Sequence, residues 1–229
     1  MRFDLFLATA QSHTLWAYFA QSNFAEKVIV LVLITFSFVA WTIMIGKQLD
    51  LSRLQVMNSA LEKQIGNKTS LLQTNFRSAP RSPYAYLLAA ALEVCERNAA
   101  ASTPERTHSA RCMNQVENAL NRAVAAQCIQ YESKMIFLGS IVSGAPFLGL
   151  LGTVWGIMDA FAALGEQAVV TLQTLAPGVS GALLTTVAGL LVAIPSIFGY
   201  NYLLTRTKLM VTELENFASY LADRIENEL

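Results

Sequence analysis

Three stretches of this chain contain no Asp, Glu, Lys, Arg or His, and they limit its fold more than any other feature. They are Val28–Gly46 (19 residues), Met135–Met158 (24) and Gln167–Thr205 (39). About 20 predominantly apolar residues span the hydrocarbon core of a bilayer, so each run is long enough to cross once. The third run holds "LAPGVSG", where Pro177 and Gly178 suit the start of a helix better than its middle. Its crossing is therefore expected at 178–203, with 167–176 as the approach. The overall composition agrees, with 14% charged residues and a mean hydropathy of +0.41, against roughly 25% charged in a soluble domain. The expected fold is an all-α integral membrane protein with three transmembrane helices, at 28–46, 135–158 and 178–203.

Net charge is zero and gives no hint of a nucleic-acid partner, but the placement of charge orients the chain. Of 16 Lys and Arg, 11 lie between Lys47 and Lys134, and Arg206, Lys208 and Arg224 follow the third run. Only Arg2 and Lys27 precede the first run, and 159–177 holds Asp159 and Glu166 with no basic residue. Basic residues collect on the cytoplasmic side. That side is therefore expected to hold 47–134 and 204–229, leaving the N-terminus and the 159–177 connection outside. Residues 1–27 have a single Arg2 followed by Asp4, then Trp16, Tyr18 and Phe19. They read as an interfacial helix at the headgroup level rather than a signal peptide. Cys95, Cys112 and Cys128, spaced by 17 and 16, form neither a disulfide framework nor a zinc-ligand pattern. They read as reduced packing residues.

The 47–134 segment is expected to be helical. "RSPYAYLLAAALEVCER" has Ser82 as a cap and Pro83 in the first helical position, followed by Leu87, Ala91, Val94 and Cys95 at helical spacing. A second pattern opens with Ser102 and Glu105 spaced as a capping box. It continues through Met113, Val116, Leu120, Val124, Cys128, Tyr131 and Met135 into the second crossing. No turn signal interrupts it, which predicts one helix from about Pro104 to Phe161. After the third crossing, Leu203, Met210, Leu214, Phe217, Leu221 and Ile225 keep helical spacing. Both extensions are expected to run out of the bilayer and pack in a cytoplasmic bundle, which can also serve as a surface for subunit association.

The second run contains five glycines (139, 144, 149, 152 and 156), with Gly152 and Gly156 spaced as GxxxG. The third places Gly181, Thr185 and Gly189 four residues apart, then Ala193. Small residues at this interval let helix backbones approach closely in lipid. Pro146 and Pro195 each free a backbone carbonyl that needs a neighbour or water. These two helices are expected to face protein or a wet cavity. The bulkier, β-branched first run is expected to face lipid. Thr153 and Thr186 lie inside the second and third crossings. Each either back-bonds the carbonyl four residues before it and fills space, or lines a polar path. Ion relays in membranes normally rely on an ionisable group, and none of the three runs contains one. If the chain conducts protons, the titrating group must come from elsewhere, most economically from a partner's transmembrane carboxylate. His13 and His108 lie outside the runs, and no phosphate loop, metal-ligand cluster or nucleophilic constellation is present, so no enzyme and no cofactor is expected.

The segments "PFLGLLGTVWGIMDAFAALG" (146–165) and "TLAPGVSGALLTTVAGLLVAIPSIFGYN" (174–201) closely resemble the TolQ/ExbB branch of the MotA/TolQ/ExbB proton-channel family. Weaker matches in "FSFVAWTIMIG" (36–46) and "AFAALGEQAVVTLQTLAPG" (160–178) lean towards its TolQ side. The resemblance implies a subunit of a bacterial inner-membrane stator. Five copies would surround a pore lined by the second and third helices. Inside would sit a TolR- or ExbD-like single-span partner that brings a transmembrane aspartate. Proton flow would then deliver work to a TolA- or TonB-like envelope protein. By the same resemblance Thr153 and Thr186 are the pore threonines. Thr185 is an additional hydroxyl, either a second lining residue or an interface contact. Pro146, Gly149, Gly152, Gly156, Gly181, Gly189 and Pro195 would shape the pore and pack its helices. Where many relatives carry a glutamate this chain has Gly181, which would leave the lining uncharged and the identity of the ion, proton or sodium, open.

The leading expectation is therefore a proton-channel subunit of a Tol-Pal-like energy-transducing complex, and two other readings stay open. One is an ExbB-like role in TonB-dependent uptake or in a gliding or secretion motor. The other is a non-conducting membrane scaffold that only positions a partner.

Overall fold

The computed structural model describes residues 22–66, 82–100, 106–164 and 172–228. The expected interfacial helix around Trp16, the Ser102–Glu105 capping box and Glu166 lie outside these residues. The described residues form five helices: α1 Phe24–Gly66, α2 Pro83–Ala100, α3 Arg106–Glu132, α4 Met135–Leu164 and α5 Leu172–Glu226. Three helical stretches, within Phe24–Gly66, Ala110–Ala163 and Leu175–Glu226, are long and apolar enough to cross a membrane. The described residues divide into two compact units, those within Met1–Met44 and Ile136–Tyr200, and those within Ile45–Met135 and Asn201–Leu229.

In the first unit, the start of α1 packs with α4 and the first half of α5. Ile29, Leu33, Ala40 and Met44 of α1 are buried, as are Leu138, Ile141 and Ala145 of α4 and Ala182, Val192 and Ala193 of α5. The Met44 thioether lies directly against Gly199, and a Cβ there would collide with it. The outward faces are apolar too: Phe38, Phe147 and Phe198 are each at least 70% exposed. A hydrophobic outer face is stable only against lipid tails or another apolar surface. The β-branched α1 shows this on one stripe, with Leu31, Ile34, Phe38 and Trp41 outward.

The second unit is built differently, as an amphipathic bundle. Leu51, Leu61 and Ile65 of α1, Leu87, Leu88 and Ala91 of α2, Val116 and Leu120 of α3, and Leu214, Leu221 and Ile225 of α5 are all buried. The stepping by three and four read from the sequence is therefore the core-facing stripe. Ser82 caps α2 by accepting the Ala85 N–H at 3.2 Å, with Pro83 in the first helical position. The Tyr84 ring stacks on Phe217 with centroids 3.8 Å apart, and its hydroxyl donates to the Glu213 carbonyl at 3.3 Å. Burial and the nearby Glu213 push the Tyr84 phenol up to about 12. Beside this stack opens a groove of about 590 Å³, lined in part by Gln55, Asn58, Glu62 and Asn216. Cys95 and Cys112 are buried free thiols, and Cys128 is half-buried. Burial and the adjacent Cys112 push the Cys95 thiol up to about 11, as suits a packing residue rather than a nucleophile.

Two helix boundaries differ from the sequence expectation. The single helix over 104–161 is interrupted at Ser133–Lys134, where Lys134 adopts φ 68°. The reason is local hydrogen bonding. The end of α3 leaves carbonyls without helical donors, and that of Gln130 collects three other donors. They are the Ser133 N–H at 3.4 Å, the Ser133 hydroxyl at 2.7 Å and the Lys47 ammonium at 3.4 Å. A left-handed residue then ends the helix, a role glycine usually takes, which is why no turn signal was visible. At the other boundary, α5 begins at Leu172 and carries Pro177 inside it rather than starting at Pro177–Gly178. Pro177 sits in the second turn, where it removes only one hydrogen bond, to the residue four before it.

Candidate functional site

The centre of the first unit is the contact between α4 and α5, and glycine makes it close. A Cβ on Gly189 would stand 2.7 Å from the Ala145 carbonyl oxygen, and one on Gly149 would stand 2.9 Å from the Thr185 carbonyl oxygen. Both obstacles are backbone, which cannot swing aside. Gly152 faces the Thr185 side chain so tightly that no Cβ could be accommodated. Backbones this close gain dispersion contacts, the main attraction between helices where lipid is as apolar as the side chains. Gly144 has nothing within 4 Å of a built Cβ and takes no part in the contact, while Gly139 faces the Tyr200 ring at 3.4 Å. Both α4 and α5 run unbroken through Pro146 and Pro195. Pro146 is half-buried and Pro195 exposed.

The close approach brings three hydroxyls to one place. Thr186 donates across the interface to the Gly149 carbonyl at 3.1 Å, and its oxygen lies 3.5 Å from that of Thr153. Thr153 is buried and donates to its own helix, to Leu150 O at 2.7 Å. Thr153 thus back-bonds its own helix, three residues back rather than the four expected, while Thr186 bonds the neighbouring helix instead. Thr185 is completely buried and lies within reach of two carbonyls, Ala182 O at 2.7 Å and Gly149 O at 3.0 Å. Within this chain it is an interface contact between α4 and α5. Each hydroxyl has one proton, and these bonds use it. Lone pairs on Thr153 and Thr186 remain to accept a further hydrogen bond, and a threonine hydroxyl does not titrate in any useful range.

One residue that sequence reasoning passed over lies about a turn further along. Glu26, two residues before the first uncharged run, is 1% exposed. Its Oε2 accepts the Asn23 N–H at 3.1 Å, the glutamate half of a capping box at the start of α1. Its carboxylate occupies the space above Gly156 and Gly181: a Cβ on Gly181 would stand 2.7 Å from Oε2, and one on Gly156 would collide with Oε1. Asn23 Nδ2 also donates to Asp159 of α4 at 3.1 Å. The Asn-x-x-Glu spacing of 23–26 was a legible capping signal. The glycine notch that receives the carboxylate was not, because its walls come from two other helices. The position at which the resemblance would place a glutamate is thus open at Gly181 and filled from α1.

A family model described as the MotA/TolQ/ExbB proton channel family matches residues 84–216. The Tol-Pal system protein TolQ of Haemophilus influenzae is 41% identical over 99 residues, which is 43% of each chain. The biopolymer transport protein ExbB of Pseudomonas putida is 32% identical over 199 residues, covering 86% of this chain and 59% of that one. ExbB of Neisseria meningitidis serogroup A is 31% identical over 202 residues, or 87% of this chain and 91% of the relative. The match thus spans about half the length of the first two relatives and nearly all of the third. With three helical stretches able to cross a membrane, the chain belongs to the TolQ/ExbB branch of the MotA/TolQ/ExbB proton channel family.

Proposed function

We propose that this chain is the channel-forming subunit of an inner-membrane motor that turns proton flow into mechanical work on an envelope protein. The observation that carries the reading is the convergence of the Thr153 and Thr186 hydroxyls, 3.5 Å apart, on a helix pair closed by glycine. Five copies would surround a pore with α4 and α5 inward, and a TolR- or ExbD-like single-span partner would supply the transmembrane aspartate. The segments 47–134 and 204–229 would face the cytoplasm and the N-terminus the periplasm, as the clustering of Lys and Arg suggests. The bland face of α1 would meet lipid. Relatives named for both the Tol-Pal and the biopolymer-transport systems resemble the chain to similar degrees, so a TolA-like and a TonB-like target are equally supported.

Thr153→Val and Thr186→Val test the reading, because valine matches threonine in shape and removes the hydroxyl. Each variant should assemble normally and lose at least ten-fold in motor-dependent activity, read as envelope integrity or as ligand uptake in a deletion strain. A non-conducting scaffold would keep full activity with both valines. Repeating the wild-type assay with the sodium gradient or the proton gradient collapsed separately identifies the ion.

A further inference from the structure

The Glu26 carboxylate is the one ionisable side chain buried in the first unit among the described residues. Helix capping explains only half of it. Oε2 has its donor in the Asn23 N–H, while Oε1 is buried with no hydrogen-bond partner. An ionised carboxyl is an acceptor at both oxygens, and leaving one of them dry is costly. A residue that served only as a cap could remain at the surface, as most capping carboxylates do. Here it is drawn between three helices, and the two glycines that admit it also lie on the helices carrying the threonines. Gly156 is three residues from Thr153, and Gly181 is four and five residues from Thr185 and Thr186. At ~1.5 Å rise per residue, the carboxylate sits about one helical turn from the hydroxyl cluster on both helices.

We propose that Glu26 is the proton-binding group of this subunit, exchanging its proton at Oε1 with the ion path along Thr153 and Thr186. The inference rests on the channel reading given above and adds to it. That reading takes its titrating group from a partner, whereas this one places a second group inside the subunit. Gly156 and Gly181 are small in order to seat it. The charged groups around it are few. Lys27 follows it on α1, Asp159 stands on α4 joined to Asn23, and the described part of α5 up to Tyr200 has no Asp, Glu, Lys, Arg or His. Exchange at Oε1 is a simple proton transfer: the carboxylate takes a proton from a hydronium or water donor and later returns it, with no other reactant.

The test uses the full chain co-purified with its partner and reconstituted in liposomes, with a pH-sensitive dye reporting proton uptake. Glu26→Gln keeps the size of the side chain and the capping box, which glutamine serves equally, and removes only the titration. The expected result is a loss of at least ten-fold in proton flux at unchanged melting temperature and subunit stoichiometry. A pH-dependent protonated-carboxyl band in the infrared difference spectrum should disappear with it. The double variant Glu26→Ala/Gly181→Glu returns a carboxylate to the same space from the opposite wall, and should recover flux that Glu26→Ala alone lacks. Flux within two-fold of wild type in Glu26→Gln would overturn the proposal and leave Glu26 a cap. So would an infrared spectrum that Glu26→Gln does not change. If Thr153→Val and Thr186→Val abolish flux while Glu26→Gln does not, the channel reading stands and only this proposal falls. If none of the three changes flux, the channel reading falls as well.

Discussion

Single atoms decide how α4 meets α5. The nearest obstacle to a side chain at Gly189 is a backbone carbonyl, that of Ala145 at 2.7 Å, so relief would require the helices to separate. Gly189→Ala is therefore expected to cost about 1–3 kcal/mol, the usual range for overpacking. Separation would also part Thr186 from the Gly149 carbonyl, so activity should fall together with stability. Gly144→Ala, on α4, is the control. With nothing within 4 Å of the added methyl, it should change stability by less than about 0.5 kcal/mol. Thermal melting of the two variants in the same detergent separates these outcomes. The small-residue spacing in the sequence marked Gly189 for close packing and gave Gly144 no such role; geometry shows what a side chain at each would meet.

At the level of elements, the break between α3 and α4 is the feature the sequence concealed. A continuous apolar stripe from Met113 to Met135 carries the eye through Ser133 and Lys134, and the stripe itself is real: Val116, Leu120, Tyr131 and Met135 are all buried. What ends the helix is the capture of the Gln130 carbonyl by side chains, followed by one residue at positive φ. Lysine pays roughly 1 kcal/mol in that conformation relative to glycine. Lys134→Gly should accordingly hold or raise the melting temperature, while Lys134→Val, β-branched and intolerant of positive φ, should lower it. Equal melting temperatures for the two would mean that α3 and α4 join as one helix in the membrane. The extended α5 gives the contrasting case. There the periodicity of Leu203 to Ile225 and the course of the helix agree: the Tyr84 hydroxyl reaches the Glu213 carbonyl, but no described residue of α5 adopts positive φ to end the helix.

For the whole molecule, the two units bury their apolar residues for different reasons. The second is an amphipathic bundle whose core is driven inward by water. The first shows large apolar side chains on its outer faces, with Leu151, Val154, Phe161, Leu190 and Ile194 all exposed, and such faces need lipid or another apolar surface to cover them. Association is the expected consequence. Native mass spectrometry of the complex from gentle detergent should give five copies of the 25.0 kDa chain together with a small single-span protein carrying one transmembrane aspartate. A homo-oligomer that never retains such a partner would count against a motor and in favour of the scaffold.

Composition and period alone determined that the chain is helical, that three of its stretches can cross a membrane, and that glycine-rich faces on the second and third would pack. Those properties follow from local facts: the absence of charge over some 20 residues, and the recurrence of small or apolar side chains every three or four positions. Tertiary structure decided which atoms meet. Thr153 and Thr186 are 33 residues apart in sequence and 3.5 Å apart in space, because the Gly149–Gly189 contact sets the register between two helices. Glu26 is remote from both, yet it lies against Gly156 and Gly181 because α1 closes the same unit. Register between helices is a property of the interface, and no periodicity within one helix encodes it.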